Sequence, residues 1–181
     1  MSDDTPATAE PAPRWIAMGE AHLAAVIRIA AAVHPGYPED PQVFAERQRL
    51  YGQGCRVLSD ELGADELGAL HGYLIGHPWH DHAPPPLNSL LGAIPAAAGT
   101  YYLHDLALMP SARRNGHALA AVAQAIDQAR RAGFTTMSLV AVNGSARYWE
   151  RHGFAGVNDP ALASKLASYG GDAVFMVRRE R

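Results

Sequence analysis

The stretch Tyr101 to Phe154, YYLHDLALMPSARRNGHALAAVAQAIDQARRAGFTTMSLVAVNGSARYWERHGF, constrains this chain more than any other. An apolar strand, Tyr101 to Leu108, is stopped by Met109-Pro110 and runs into a basic loop that carries a glycine. The helix after the loop places Leu119, Val122, Ile126 and Ala129 at i, i+3, i+7 and i+10, an apolar stripe of helical period. Arg130 and Arg131 fall in its last turn, where cations suit the dipole. Gly133 is a left-handed cap with Phe134 folding back on the helix end. Thr135 to Val142 is a second apolar strand, and a short helix from Ser145 to His152 ends in the same way at Gly153-Phe154.

The flanks supply more of both element types. Arg14 to Met18 reads as a short strand. Leu23, Val26, Ile27, Ala30 and Val33 recur at helical spacing until Pro35-Gly36 stops them. Asp40-Pro41 starts a second helix, a capping carboxylate before a proline at the first helical position, which carries Val43, Phe44, Arg47, Leu50 and Tyr51. Arg56 to Ser59 and Ala69 to Ile75 are strand-like, and the acidic segment 60–68 between them suits a hairpin loop. His77 to Gly99 is a long proline-bearing loop, a length usually reserved for function. Ala173 to Val177 is a final strand. The order, βααβββαβαββ, is mixed α/β. Residues 1–13 (MSDDTPATAEPAP) lack apolar anchors and read as a disordered tail, leaving 14–181 as a single domain.

Composition excludes several classes. The chain has 181 residues, 48% of them hydrophobic, enough for one domain with its own core. A net charge of -3 gives no field that would attract nucleic acid. No apolar run approaches the ~18 residues of a transmembrane helix, and Asp3 and Asp4 stand where a secretory signal would be cationic. The single cysteine, Cys55, excludes an internal disulfide and a Cys-cluster zinc site. A cytoplasmic protein with neither membrane nor nucleic-acid partner is expected.

Arg113-Arg114-Asn115-Gly116-His117-Ala118 joins a strand end to a helix start. Unpaired amides and a partial positive charge collect there, so such a loop can hold a pyrophosphate, with Arg113 and Arg114 adding donors and Gly116 and Ala118 leaving room. The alternative is a basic helix start capped by Asn115 with no ligand. The loop has neither the GxxxxGK[ST] of a P-loop nor the GxGxxG of a dinucleotide site. Its form is R-x-x-G-x-A, after a strand ending Leu106-Ala107-Leu108-Met109-Pro110 and before Asn143 and Tyr148-Trp149-Glu150-Arg151-His152-Gly153-Phe154. In these three ordered blocks the chain resembles the GNAT superfamily of acyl-CoA-dependent N-acetyltransferases. The resemblance spans roughly residues 14–181 and is strongest over 101–154.

The resemblance implies a mixed, splayed central sheet flanked by helices, and acetyl-CoA as the acyl donor. The main chain of Leu106 and Leu108 would meet the pantetheine arm, and Arg113, Arg114, Asn115, Gly116, His117 and Ala118 the diphosphate. Asn143 would contact the cofactor arm, and Ala146 would line its channel. Tyr148 falls where many members place a tyrosine near the sulfur. A phenol with a pKa near ~10 can protonate a leaving thiolate at neutral pH; the alternative is an ordinary half-buried aromatic. Trp149 is expected in the core beside Phe154.

The general base expected for an amine nucleophile is His104, which strand period places on one face with Leu106, Leu108 and Tyr102. A histidine occupies this position in the arylalkylamine branch of the family. A hydrogen-bonded sheet histidine is the competing reading. Asp105 would point to the opposite face, and Tyr102 could line the acceptor pocket. Glu46, Asp81 and Asp105 are candidates to hold an ammonium group.

His77, His80 and His82 fit no common zinc spacing, and no metal is expected. Trp79, Pro84 to Pro86, Leu87 and Leu90 read as a substrate lid instead. The histidines at 22, 34, 71, 117 and 152 need no special role. The expected reaction is direct acetyl transfer to the primary amine of a small molecule. A peptide or protein N-acetyltransferase and a non-catalytic acyl-CoA sensor stand as alternatives, and the final strand allows a homodimer.

Overall fold

The computed structural model describes residues 12–60 and 69–180. The tail expected over 1–13 and the hairpin loop expected over 60–68 fall, but for residues 12, 13 and 60, outside the described residues. Seven strands form one sheet: β1 (Arg14–Ala17), β2 (Cys55–Ser59), β3 (Leu70–Trp79), β4 (Thr100–Leu108), β5 (Thr136–Ala141), β6 (Ala155–Gly156) and β7 (Val174–Arg179). Their order is β1-β2-β3-β4-β5-β7-β6. All described pairings are antiparallel except β4 with β5, which is parallel.

Helices α1 (Leu23–Val33) and α2 (Pro41–Tyr51) cover one face of the sheet, and α3 (His117–Arg131) the other. Two short helices, α4 (Ala146–Glu150) and α5 (Ala163–Leu166), follow. The element order matches the sequence reading except for α5, whose four residues are too few for periodicity to register. On the first face Val26, Ile29 and Phe44 pack on Val57, Tyr73 and Ile75. On the second, Ala121, Val122 and Ala125 pack on Leu74, Tyr101, Leu103, Met137 and Leu139.

The stripe of α3 is thus rotated from the expected one. Leu119 is 63% exposed, and alanines let the helix lie close to the sheet. Trp15 of β1 donates its indole N–H to His117 O, which fixes where α3 begins. Both expected glycine caps form: Gly133 and Gly153 have φ of +83°, and Phe134 and Phe154 each donate an N–H back to the helix they follow. Asp40 is the first residue of α2's cap as expected, but its carboxylate takes Asn88 Nδ2 at 3.3 Å instead of a helix amide.

Strand β3 runs on through His77 and Trp79, so the long loop begins later than expected. Pro78 is tolerated because β2 ends opposite Ile75, leaving that side of β3 an edge. Opposite this point the β3–β4 register slips: Ile75 pairs with Asp105, but Gly76 pairs with Leu103, leaving His104 as an extra residue on β4. This is a β-bulge, and it reverses the strand's alternation.

Candidate active site

Strands β4 and β5 pair only at Tyr101–Met137 and Tyr102–Ser138. Beyond Tyr102 they diverge, and the gap becomes a cleft of about 310 Å³. Leu103 to Leu106 and Leu108 form one wall, Leu139, Val140 and Val142 the other, and Arg113 and Ala118 sit at one end. Met109 N–H bonds back to His71 O on β3, so alternate residues Leu106 and Leu108 turn their backbone groups toward the gap. Arg113 Nε donates to Leu108 O at 3.2 Å, consistent with that direction.

The basic loop forms the rim. Arg113 to Gly116 are exposed, and Gly116, not Asn115, occupies the cap position of α3. Gly116 has φ of +80° and a side chain there would meet open space, so its backbone conformation is what demands glycine. The amides of a 15-residue helix therefore open onto solvent beside two guanidinium groups.

Asn143 also lines the cleft, in a left-handed conformation with φ of +53°. Ser145 lines it in place of Ala146, which packs against the core. Tyr148 lies on the wall. Its hydroxyl is buried and has no hydrogen-bond partner among the described residues. Burial raises the phenol's pKa, and the Arg151 guanidinium, 5.7 Å from the ring centre, pulls the other way. The His152 ring lies tilted against the same ring, centroids 4.7 Å apart. Trp149 is core, edge-on to Phe154 as expected.

The bulge changes the expected disposition of His104. Leu103, Leu106 and Leu74 share the α3 face, while Ala107 and Ile75 share the α1–α2 face. His104 lies with Tyr102 but not with Leu106 and Leu108, and Asp105 lies on the same side as His104 rather than opposite it. Both line the cleft. His104 Nε2 is 3.1 Å from Glu39 Oε2, an ionic approach without the alignment of a hydrogen bond, and Nδ1 has no partner among the described residues. The two side chains are only 5% and 7% exposed. Asp105 faces His34 Nε2 at 3.2 Å and accepts a hydrogen bond from Tyr73 OH.

These pairings set the electrostatics. Burial opposes ionisation of Glu39, yet His104 holds it below the usual carboxylate range. Asp105 is likewise lowered: burial opposes it, and His34 and Tyr73 prevail. His34 is raised, because Asp105 outweighs burial. His34 and Glu39 were not singled out by sequence reasoning. The available signal was the run HPGYPED between two helices, which gathers titratable groups in one short loop.

Other expectations are corrected. Glu46 cannot hold a substrate ammonium, because its carboxylate takes Arg47 Nη1 at 2.6 Å and the amides of Leu91 and Gly92 at 2.7 and 2.9 Å. Asp81 is exposed and bonds His82 N–H. Tyr102 is buried beneath the pocket, its hydroxyl 3.5 Å from Tyr169 OH, and Tyr169 does the lining. Of the expected lid, Leu87 lines a smaller cavity beside His104 and Asp105; Trp79 clamps its own loop through Ala83 O, and Leu90 is exposed over α2. His77, His80 and His82 point to different neighbours: His77 to Tyr102 and His104, His80 to Trp79, His82 to Phe175.

A mixed seven-stranded sheet that splays open between two parallel strands, with a basic helix start at the mouth of the gap, defines the class of protein. The sequence profile of the Acetyltransferase (GNAT) family matches residues 23–154, and the chain belongs to that family. A search of curated protein sequences finds no match. Among solved structures, the chain is similar to Ard1 from Thermoplasma volcanium (15% identity, TM-score 0.68, covering 94% of this chain and 99% of that one). It is also similar to the GNAT-like decarboxylase GphF in complex with isobutyryl-CoA (16%, 0.70, 93% and 100%). A third is the NatC complex bound to Gag peptide and CoA (17%, 0.67, 94% and 99%). At these identities the likeness is one of fold. Among the described residues no helix is long and apolar enough to cross a membrane.

Proposed function

We propose that the chain transfers an acetyl group from acetyl-CoA directly to the nitrogen of a small primary amine. The observation that carries this reading is the buried, unpartnered Tyr148 hydroxyl on the wall of the splayed cleft. A thioester sulfur in the cleft supplies the acceptor for its proton.

The remaining lining fits the same donor. Backbone groups of Leu106 and Leu108 turn toward the gap, the Leu108 carbonyl already accepting from Arg113 Nε, and suit the amides of a pantetheine arm. The amides from Arg113 to Ala118, with Arg114, Asn115 and His117 at the rim, suit the diphosphate. Asn143 stands over the cofactor arm, with Ala146 behind the lining.

In the reaction the amine nitrogen bonds to the thioester carbonyl carbon and the C–S bond breaks. His104 takes the proton that the amine must lose, and Glu39, kept ionised, stabilises the resulting imidazolium. Tyr148 donates its O–H to the departing sulfur as charge builds there. Transfer is direct: Cys55 is buried in the other core cluster, outside the cleft, and burial pushes its thiol up to about 12.

The acceptor end favours a small amine over a peptide. Leu87 N–H donates to Ser168 Oγ, and Tyr169 OH to Pro85 O, tying the long loop across to the segment before β7. Incubation with acetyl-CoA and primary amines, read by mass spectrometry, tests the reading. An N-acetylated amine formed one-for-one with free thiol is expected, with no acetyl left on the protein. An acetylated enzyme, or thiol release with acetate alone, would contradict it.

A further inference from the structure

The long loop and the proposed base meet at one carboxylate. Glu39 lies in the short segment between α1 and α2, and its side chain is only 7% exposed. Oε2 faces His104 Nε2 at 3.1 Å, and Oε1 accepts the main-chain N–H of Asn88 at 3.1 Å. A buried carboxylate stays ionised only where its oxygens find donors. Burial and the nearby Asp105 charge oppose ionisation of Glu39, while His104 and the Asn88 amide favour it. Unlike the imidazole, the amide does not change charge as a proton moves, so it is the fixed member of the pair.

Asn88 is held so that this amide has one direction. Its φ is +56°, in the left-handed region that asparagine tolerates better than most side chains. Its side chain ties that conformation to the residue after Glu39: Oδ1 accepts Asp40 N–H at 2.7 Å, and Nδ2 donates to Asp40 Oδ2 at 3.3 Å. The neighbours are tied to other elements. Leu87 N–H donates to Ser168 Oγ at 3.0 Å, Arg47 Nη2 donates to Ser89 O at 2.8 Å, and Ser89 Oγ closes the turn on Pro86 O at 2.6 Å. Asn88 itself is exposed and fills no core. An exposed residue in an uncommon backbone conformation points to what its main chain does.

We propose that Asn88 is a positioning residue: its main-chain N–H holds the Glu39 carboxylate against His104, so the seating of the long loop and the readiness of the base are one event. This rests on the acetyl-transfer reading above. With the loop unseated, Glu39 keeps one donor in a buried place. It then takes up a proton or turns toward water, and the imidazolium formed on His104 loses its counter-charge.

The test reads thiol release from acetyl-CoA with the best-used member of a panel of tyramine, 1,4-diaminobutane and lysine. Asn88→Val puts a β-branched residue where φ is positive and should swing the amide off Glu39. Its kcat should fall at least ~10-fold, with the KM for the amine and for acetyl-CoA within ~3-fold of native. Asn88→Gly keeps both the left-handed backbone and the N–H, and should restore kcat to within ~3-fold of native. Because the effect runs through Glu39, Asn88→Val in a Glu39→Gln background should lower kcat less than ~2-fold further. A native kcat in Asn88→Val, the full loss repeated in the Glu39→Gln background, or a change confined to KM would each overturn the proposal and leave acetyl transfer standing. No turnover of any panel member by the native chain would remove the acetyl-transfer reading and the proposal together.

Discussion

In the proposed reaction Tyr148 and His104 carry opposite halves of the proton traffic, and each role has its own test. Tyr148→Phe removes the unpartnered hydroxyl and little else, so kcat should fall about 100-fold while the affinity for acetyl-CoA stays within about twofold. Steady-state kinetics beside calorimetry check this; an unchanged kcat would exclude the tyrosine. Glu39→Gln leaves His104 without its carboxylate in a buried site. It should lower kcat by about 10-fold or more, with partial recovery in Glu39→Asp.

At this scale the sequence was only partly legible. Tyr148, Asn143 and the loop from Arg113 to Ala118 stand close together in the chain, inside one recognisable block. His34 meets Asp105, and Glu39 meets His104, across about seventy residues, and no local pattern links them.

Among the elements, β4 determines the site. Its bulge at His104 turns two neighbouring titratable residues, His104 and Asp105, to one side. Period-two counting cannot anticipate an unpaired extra residue, which is why the sequence reading put Asp105 on the wrong face. The helix start is the second element. Gly116→Ala meets no steric obstacle but must hold φ near +80°. It should cost about 1 kcal/mol of stability and weaken acetyl-CoA binding.

The long loop is the third. Arg47 and Glu46 together hold Ser89, Leu91 and Gly92. Arg47→Met strands the Glu46 carboxylate and should destabilise the protein by about 3 kcal/mol in urea unfolding. It should also raise the KM for the amine more than that for acetyl-CoA. The loop's proline content announced its existence in the sequence, but not that a helix would anchor it.

For the whole molecule, the lowered carboxylates Glu39 and Asp105 lose their contribution in acid, and two histidines add terms of opposite direction. His77 is buried, and burial lowers its pKa to about 3. The unfolded chain binds this proton from about pH 6.5 downward. Stability from His77 is therefore complete above about pH 6.5 and is lost progressively as pH falls toward 3. His34 is raised in the folded state, so its contribution is present in acid and is lost as pH rises through that raised value. Urea midpoints across pH should show the acid loss in the native chain and a shallower one in His77→Gln. Identical slopes would show that His77 is not the group responsible.

The fold as a whole was the most legible part. Strand and helix periods gave the mixed order, and the family resemblance carried by the strand–loop–helix block implied where the sheet opens. The splay itself rests on the pairing of β4 with β5 ceasing after Tyr102, a tertiary fact.

The central claim is that this opening holds acetyl-CoA through its diphosphate and its pantetheine arm together. The most direct measurement is calorimetric titration with acetyl-CoA beside S-acetylpantetheine, which keeps the thioester and arm but lacks the diphosphate. Binding of acetyl-CoA that weakens by about 10-fold or more in the truncated compound is the expected result. Equal binding of the two would remove the role given to Arg113 through Ala118, and no binding of either would contradict the account.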